Sequence, residues 1–306
     1  MARAALSLGT GDPRSRPKIK AIGIGGAGCN AISSCTMPSI ALCGQKDQLF
    51  LPPNHRKVVL TDEEINFIRS TSPRLLGAVD LPMGRRLKEE VNGSDLVFLF
   101  TGLGGEAGSH VTPGLAHLCR RMCDLVMVSA ALPFSVEGPG RRSTALRALP
   151  DAVDAAHMTV TYPNDGLLKV APNLPLRKAF KVMDGIMMVP PQELAQVLTR
   201  DDLPRLRAEL ADAKHLRFGL GMGEGMRREE IAVAEAFSSP WFDFELSKVS
   251  AAIVLIAGQD LDRYNVKSVL DCVDAKVPEA KLLYGVRSDP ALGERIRVTV
   301  LLASGL

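Results

Sequence analysis

At 306 residues the chain is long enough for one large domain or two ordinary ones. Its 46% hydrophobic and 23% charged content is that of a globular protein, and a net charge of +3 is too slight for a dedicated nucleic-acid surface. One Trp and three Tyr leave little for base-stacking platforms, no apolar run reaches the ~18 residues of a membrane span, and six cysteines without a CxxC pair point to reduced thiols in a cytoplasmic setting.

The opening MARAALSLGTGDPRSRPK is basic but lacks a long apolar core, so residues 1–17 read as a flexible tail. Lys18–Ile24 is the first expected strand. It runs into Gly23, Gly25, Gly26 and Gly28, and Gly28–Ser34 opens a helix. Ser39–Cys43 reads as a strand. Gln45–Pro82, broken by Pro52-Pro53, Pro73 and Pro82, reads as loops and short helices. Met83–Asn92 is a charged helix that leads to the buried strand Leu96–Phe100. A second glycine cluster follows, Gly102, Gly104, Gly105 and Gly108, then a helix over Thr112–Cys123. Cys119 and Cys123 lie one helical turn apart near His117, and core packing accounts for them better than a metal site. Leu125–Leu132 and Met158–Tyr162 are strands flanking a helix at Arg142–Ala156. Strand and helix thus alternate to residue 165, which predicts a parallel, doubly wound sheet.

Leu176–Met188 is a strong helical run that Pro190-Pro191 is expected to interrupt, because proline lacks an N–H and crowds the preceding turn. Gln192–Leu198 and Asp202–Ala213 resume helical patterning. Gly219, Gly221, Gly223 and Gly225 mark a possible strand end, and Arg228–Phe237 is a helix. Strands at Ala251–Ala257, Lys281–Val286 and Arg295–Ala303, with a helix at Val266–Val277, predict a second, α+β unit.

Glycine turns between a buried strand and a helix let backbone N–H groups face an anion. Gly23-Ile-Gly25-Gly-Ala-Gly28 fits GxGxxG, and Asp47 stands where a dinucleotide fold keeps its ribose carboxylate, so the turn alone suits an NAD-dependent oxidoreductase. A second glycine turn some eighty residues later is foreign to that pattern. No catalytic His–acid pair supports the oxidoreductase.

With both turns in view the chain resembles the FtsZ/tubulin superfamily, nearer FtsZ and prokaryotic, with an archaeal source as the expectation. GIGGAGCNAI at Gly23–Ile32 resembles its first loop, and TGLGGEAGSHVTP at Thr101–Pro113 resembles its phosphate signature GGGTG(T/S)G. LPFSVEGPGRR at Leu132–Arg142, YPNDGLL at Tyr162–Leu168 and PLRKAFKVMDGI at Pro175–Ile186 resemble three further segments. GEGMRREEIAVAEAFSSP at Gly223–Pro240 and RIRVTVLLASGL at Arg295–Leu306 resemble two more.

The resemblance implies an α/β fold: a Rossmann-like nucleotide-binding domain over 18–176, a central helix and catalytic-type loop over 177–213, and a smaller α+β domain over 214–306. It implies phosphate contacts at Gly25, Gly26, Ala27, Gly102, Gly104, Gly105, Glu106, Ala107, Gly108 and Ser109. Asn30, Asn164 and Asp184 correspond to residues at the guanine. Glu137 and Arg142 correspond to residues at the ribose, with Arg141 as a rival to Arg142. A carboxylate at Asp184 suits guanine because N1–H and N2–H₂ are both donors. The implied ligand is GTP or GDP, with GDP alone or no nucleotide as alternatives, and Mg2+ is left open; no resident metal site is expected.

The phosphate side departs from the family pattern. Glu106 replaces a glycine, Ala107 a threonine and His110 the last glycine. Ala41-Leu-Cys-Gly-Gln45 stands for the family's AINTD, without its Asp unless Asp47 substitutes. In the catalytic N-x-D-x-x-D loop, Thr199 replaces the Asn, Pro204 replaces the last Asp, Asp201 keeps the middle place, and Asp202 could serve only along a different path. The expectation is a guanine-nucleotide-binding cytoskeletal or regulatory protein with weak or no hydrolysis. An active polymer-forming GTPase of cell division or shape, and a structural protein without nucleotide, are the alternatives. Self-association head to tail into filaments or dimers, or with other FtsZ-like proteins, is implied. No nucleic acid, no membrane span and no C-terminal adaptor-binding tail are expected.

Overall fold

The computed structural model describes residues 5–44, 56–76 and 82–304. Asp47, Gln45 and Pro52-Pro53 lie outside them. In chain order the strands are β1 (Leu6–Leu8), β2 (Ile19–Ile24), β3 (Ser39–Gly44), β4 (Arg56–Leu60), β5 (Leu96–Gly102), β6 (Leu125–Leu132), β7 (Met158–Pro163), β8 (His215–Gly223), β9 (Val249–Gly258), β10 (Lys281–Ser288) and β11 (Ile296–Ser304). The helices are α1 (Gly25–Ala31), α2 (Asp62–Ser70), α3 (Pro73–Leu76), α4 (Pro82–Val91), α5 (Glu106–Arg120), α6 (Pro139–Ala155), α7 (Asp165–Val170), α8 (Leu176–Val197), α9 (Asp202–Glu209), α10 (Arg228–Phe237) and α11 (Arg263–Lys276). The chain forms two units, Pro17–Pro191 and Met1–Arg16 with Gln192–Leu306.

The first unit carries a wholly parallel sheet in the order β7-β6-β5-β2-β3-β4. Its central strand β5 is buried from Leu96 to Thr101, as a strand covered on both faces must be. From β2 the chain runs outward through β3 and β4, then returns to β5 and continues through β6 and β7 on the other side. β2 and β5 are therefore neighbours at which the winding reverses, with Ile24 beside Thr101. Ligands of open α/β sheets sit at such a switch point, beyond the carboxyl ends of the strands.

Three expectations change here. The edge strand β4 went unread because Arg56 and Lys57 mask the short apolar run that follows. Helix α2 begins at a reciprocal cap: Thr61 Oγ1 accepts from Glu64 N at 3.1 Å, and Glu64 Oε2 accepts from Thr61 N at 2.9 Å. Helix α5 starts at Glu106 instead of Thr112, so most of the second glycine cluster's tail is already helical. Cys119 and Cys123 are buried in the core of this unit.

Pro190 and Pro191 do not interrupt α8, which continues from Leu176 to Val197. Proline's φ is compatible with a helix; its cost is the missing donor. Pro191 cannot bond the carbonyl of Met187 four residues back, and Ser129 Oγ donates to that oxygen instead, at 2.9 Å from within β6. A side-chain hydroxyl thus takes the place of a missing backbone N–H.

In the second unit the sheet order is β1-β10-β9-β11-β8, with β11 antiparallel to both neighbours. The alternating glycines of β8 are explained by close packing. A Cβ on Gly221 would stand 2.0 Å from the Ala232 carbonyl oxygen, and one on Gly219 would stand 2.2 Å from that of Ala236. Helix α10 lies directly on that strand's backbone. Residues 1–17 are not simply a tail: Leu6–Leu8 pairs in parallel with Leu283–Gly285, and Arg16 donates to the Gln196 carbonyl.

The segment after β1 is fixed by Asp202, which is 1% exposed. Its Oδ2 accepts from Thr199 Oγ1 at 2.7 Å, Thr199 N at 2.8 Å and Gly9 N at 2.9 Å. A buried carboxylate so satisfied is costly to lose, because its donors are left without a partner. Asp202→Ala is expected to destabilise the protein by about 3 kcal/mol in denaturant unfolding, and Thr199→Val by about half that. Ser129→Ala should cost about 1 kcal/mol in the wild type. In a Pro191→Ala background, where an N–H again reaches Met187, its cost should approach zero; equal costs in both backgrounds would refute the substitute-donor role.

Candidate functional site

The carboxyl ends of β2 and β5 open into one cleft of about 360 Å³ in the first unit. Each strand ends in a glycine turn that starts a helix, α1 or α5. The turns touch: a Cβ on Gly102 would lie 2.7 Å from the Ala27 Cβ, and one on Gly25 would lie 3.4 Å from that of Ala107. Gly108 is pressed against the incoming strand so closely that a Cβ there would be 2.2 Å from the Gly102 carbonyl oxygen. Gly104 has φ +100, a conformation that favours glycine.

Polar bonds set the second turn. Buried Ser109 accepts from Gly104 N through Oγ at 2.8 Å, and the hydroxyls of Thr112 and Thr101 meet at 3.0 Å beneath it. Ser109 and the Gly104 N–H are thus committed to the turn. Neither residue lines the cleft.

Of the other expected residues, Gly25, Gly26, Ala27, Gly102, Gly105, Glu106, Ala107, Gly108, Glu137, Asn164 and Asp184 all line the cleft. Asn30 does not; it is exposed on α1. Arg141 lines the cleft and Arg142 does not. Glu137 explains this: its Oε1 accepts from Phe134 N at 2.8 Å and its Oε2 from Arg141 Nη1 at 2.6 Å. Arg141, in the first turn of α6, stands four residues after Glu137 and pairs with it.

The far wall is made by residues the sequence reading passed over. Phe180 and Met183, on α8, line the cleft, and the Phe180 ring stands edge-on to Phe134 with centroids 5.2 Å apart. Two further acceptors, Asn164 and Asp184, line the same cleft. Asn164 is 4% exposed and its Oδ1 has no hydrogen-bond partner. The Asp184 carboxyl is pushed up to about 6 by burial.

At the other end, Glu106 occupies the first position of α5, where a carboxylate complements the helix dipole. It pairs with Arg69 Nη1 of α2 at 3.2 Å, and Asn66 Oδ1 accepts from the same guanidinium at 3.0 Å. Asp62, at the start of α2, also faces the cleft. Arg69 was invisible to motif reading because nothing in its neighbourhood marks it; only the fold brings it to Glu106. In the second unit Asp201 is exposed, while Asp202 is buried and its Oδ2 accepts from Thr199 and Gly9.

Comparison with known proteins agrees with this geometry. Residues 82–172 match the Tubulin/FtsZ family GTPase domain, and residues 216–306 match the FtsZ family C-terminal domain. Cell division protein FtsZ 1 of Thermococcus kodakarensis is 30% identical over 299 residues, covering 93% of this chain and 80% of that protein. Cell division protein FtsZ of Methanothermobacter thermautotrophicus is 31% identical, covering 94% and 80%. The fold is similar to a mutant FtsZ from M. jannaschii, with a TM-score of 0.79, 24% identity, and coverage of 96% of this chain and 92% of that one. It is also similar to a GTPγS-bound CetZ2 protofilament structure from Haloferax volcanii, with a TM-score of 0.67, 19% identity, and coverage of 93% and 92%. Among the described residues no helix is long and apolar enough to cross a membrane. With two glycine turns abutting at the switch point of a parallel sheet and archaeal FtsZ relatives along nearly its whole length, the chain belongs to the FtsZ family of the FtsZ/tubulin superfamily and carries that family's GTPase domain.

Proposed function

We propose that the cleft binds a guanine nucleotide and that this chain hydrolyses GTP poorly, serving as a cytoskeletal or regulatory member of its family. One observation carries the base assignment: Asn164 Oδ1 is buried without a hydrogen-bond partner in the same cleft that the partly buried Asp184 carboxyl lines, and the guanine edge offers N1–H and N2–H₂. The Phe180 ring offers an apolar face beside them for the base to stack on. Arg141, held by Glu137, is placed to meet the ribose region. The glycine turns at the ends of β2 and β5 offer backbone N–H groups to the phosphates. A reading in which the cleft holds no nucleotide is favoured only by Glu106, which already supplies an anion at the start of α5.

The poor hydrolysis rests on the second unit. The Asp202 carboxylate is buried, with Oδ2 engaged by Thr199 and Gly9, and Pro204 offers no acid. Asp201 alone is exposed. Assembly, where it occurs, is proposed to be head to tail, the contact through which heterologous surfaces propagate into filaments. The M. jannaschii dimer and the Haloferax protofilament among the structural neighbours support that mode.

Chromatography of nucleotide released from purified protein should show guanine nucleotide, and an empty cleft would overturn the reading. Affinity for guanine nucleotide should be constant above pH ~6 and fall by about tenfold per unit below it, as Asp184 gains a proton and ceases to accept two donors. Because the folded-state value lies above the ordinary 3.8, this group favours folding at low pH, and that contribution is lost as pH rises through about 6. Asp184→Asn should therefore raise the Tm of nucleotide-free protein at pH 7.5 while weakening guanine binding; a fall in both would contradict the assignment. Phosphate release should run at least about 100-fold below that of an FtsZ with an intact acidic loop, the contribution of a positioned general base. It should change less than about twofold on Asp201→Ala; a fast rate abolished by that change would restore the active-GTPase alternative.

A further inference from the structure

The phosphate end of the cleft contains a charge pair that motif reading does not supply. Glu106 sits at the first position of α5 and lines the cleft, 60% exposed at its side chain. Arg69, 53% exposed, reaches it from the last turn of α2, and its other terminal nitrogen is fixed by Asn66. His110, next to both, adds little positive charge near neutral pH, since burial and the Arg69 guanidinium lower its pKa. The N-terminus of a helix of this length attracts one anion well, and here the chain supplies that anion itself.

We propose that Glu106, clamped by Arg69, stands in for a terminal phosphate and makes the cleft select a nucleoside diphosphate over a triphosphate, with Arg69 as the positioning residue that sets the preference. The inference rests on the guanine-nucleotide reading of the same cleft. A diphosphate brings its charge to the glycine turns and leaves the pair intact. A third phosphate must approach the start of α5, where the carboxylate already occupies the favourable field and repels it. Arg69 limits that repulsion by neutralising Glu106 and, with Asn66, fixes where the carboxylate lies. Without Arg69 the carboxylate is bare and faces the nucleotide's phosphates. The pair is solvent-exposed and contributes little to stability, so its effect falls on ligand choice.

The test is direct binding of GDP and of GTP to wild type, Glu106→Gln, Arg69→Gln, Arg69→Lys and the Glu106→Gln/Arg69→Gln double variant, with thermal melting to confirm that all are folded. Wild type should bind GDP about tenfold or more tightly than GTP, as expected for a like charge met at a few ångströms in partly screened surroundings. Glu106→Gln should gain about tenfold for GTP and change little for GDP. Arg69→Gln should lose a further factor of about ten for GTP, and Arg69→Lys should recover part of it. In the Glu106→Gln background Arg69→Gln should matter less than about threefold, because there is no carboxylate left to neutralise. Equal wild-type affinities for GDP and GTP would overturn the proposal while leaving the nucleotide assignment standing. An equal loss on Arg69→Gln in both backgrounds would also overturn it, since Arg69 would then touch the phosphate itself. Binding of neither nucleotide by any folded variant would remove the guanine reading as well.

Discussion

The structure of the first unit depends on how closely backbone can approach backbone where β2 and β5 end. The Gly102 carbonyl oxygen fills the place a side chain on Gly108 would need, and Phe100 does the same to Gly28, where a Cβ would lie 2.0 Å from its carbonyl oxygen. Each helix start is thereby drawn against the strand beside it. That contact brings the two turns together, and the cleft exists because they meet. Any side chain at these positions would push α1 or α5 off the sheet and open the turns before a ligand arrived.

Around that contact the polar groups divide into those already satisfied and those left waiting. Ser109, Thr101, Thr112 and Glu137 complete one another or the adjoining backbone. Asn164 is buried with its Oδ1 unfilled, and Asp184, partly buried, lines the same cleft. Burying such groups costs free energy in the empty protein, and a ligand with matching donors recovers it. At the other end the balance reverses: Glu106 and Arg69 satisfy each other. The end of the cleft at Asn164 thus lacks a partner of the kind that Glu106 already has in Arg69.

Much of this was legible in the sequence, for reasons that can be named. Apolar runs such as Leu125–Leu132 had only one buried, parallel use, and Arg228–Phe237 carried its helical period without competing signals. The glycines of both turns were readable because close approach excludes other residues. Features that depend on distant partners were not readable. Leu6–Leu8 is too short to show a period, and its partner lies near the other end of the chain. Pro190-Pro191 reads locally as a break, but Ser129 supplies from another element the donor that the local rule says is missing. Asp202 looked like a displaced catalytic acid because sequence shows composition and spacing, whereas its role is fixed by Gly9, 193 positions away. Phe180 and Arg69 carry no local signature; α8 delivers the first to the cleft and α2 brings the second to Glu106.

The pairing of Leu6–Leu8 with β10 bears on how the protein is made. β1 precedes its partner strand at Lys281–Ser288 by the whole of the first unit and most of the second. Pro17–Pro191 has its own core and sheet, complete long before then. Leu6–Leu8 therefore stays without that partner until β10 has been made, and the second unit's sheet is completed only then. Contacts of such wide sequence separation form late and slowly, so the final closure of this sheet is the step at which a nascent chain is most exposed to wrong partners.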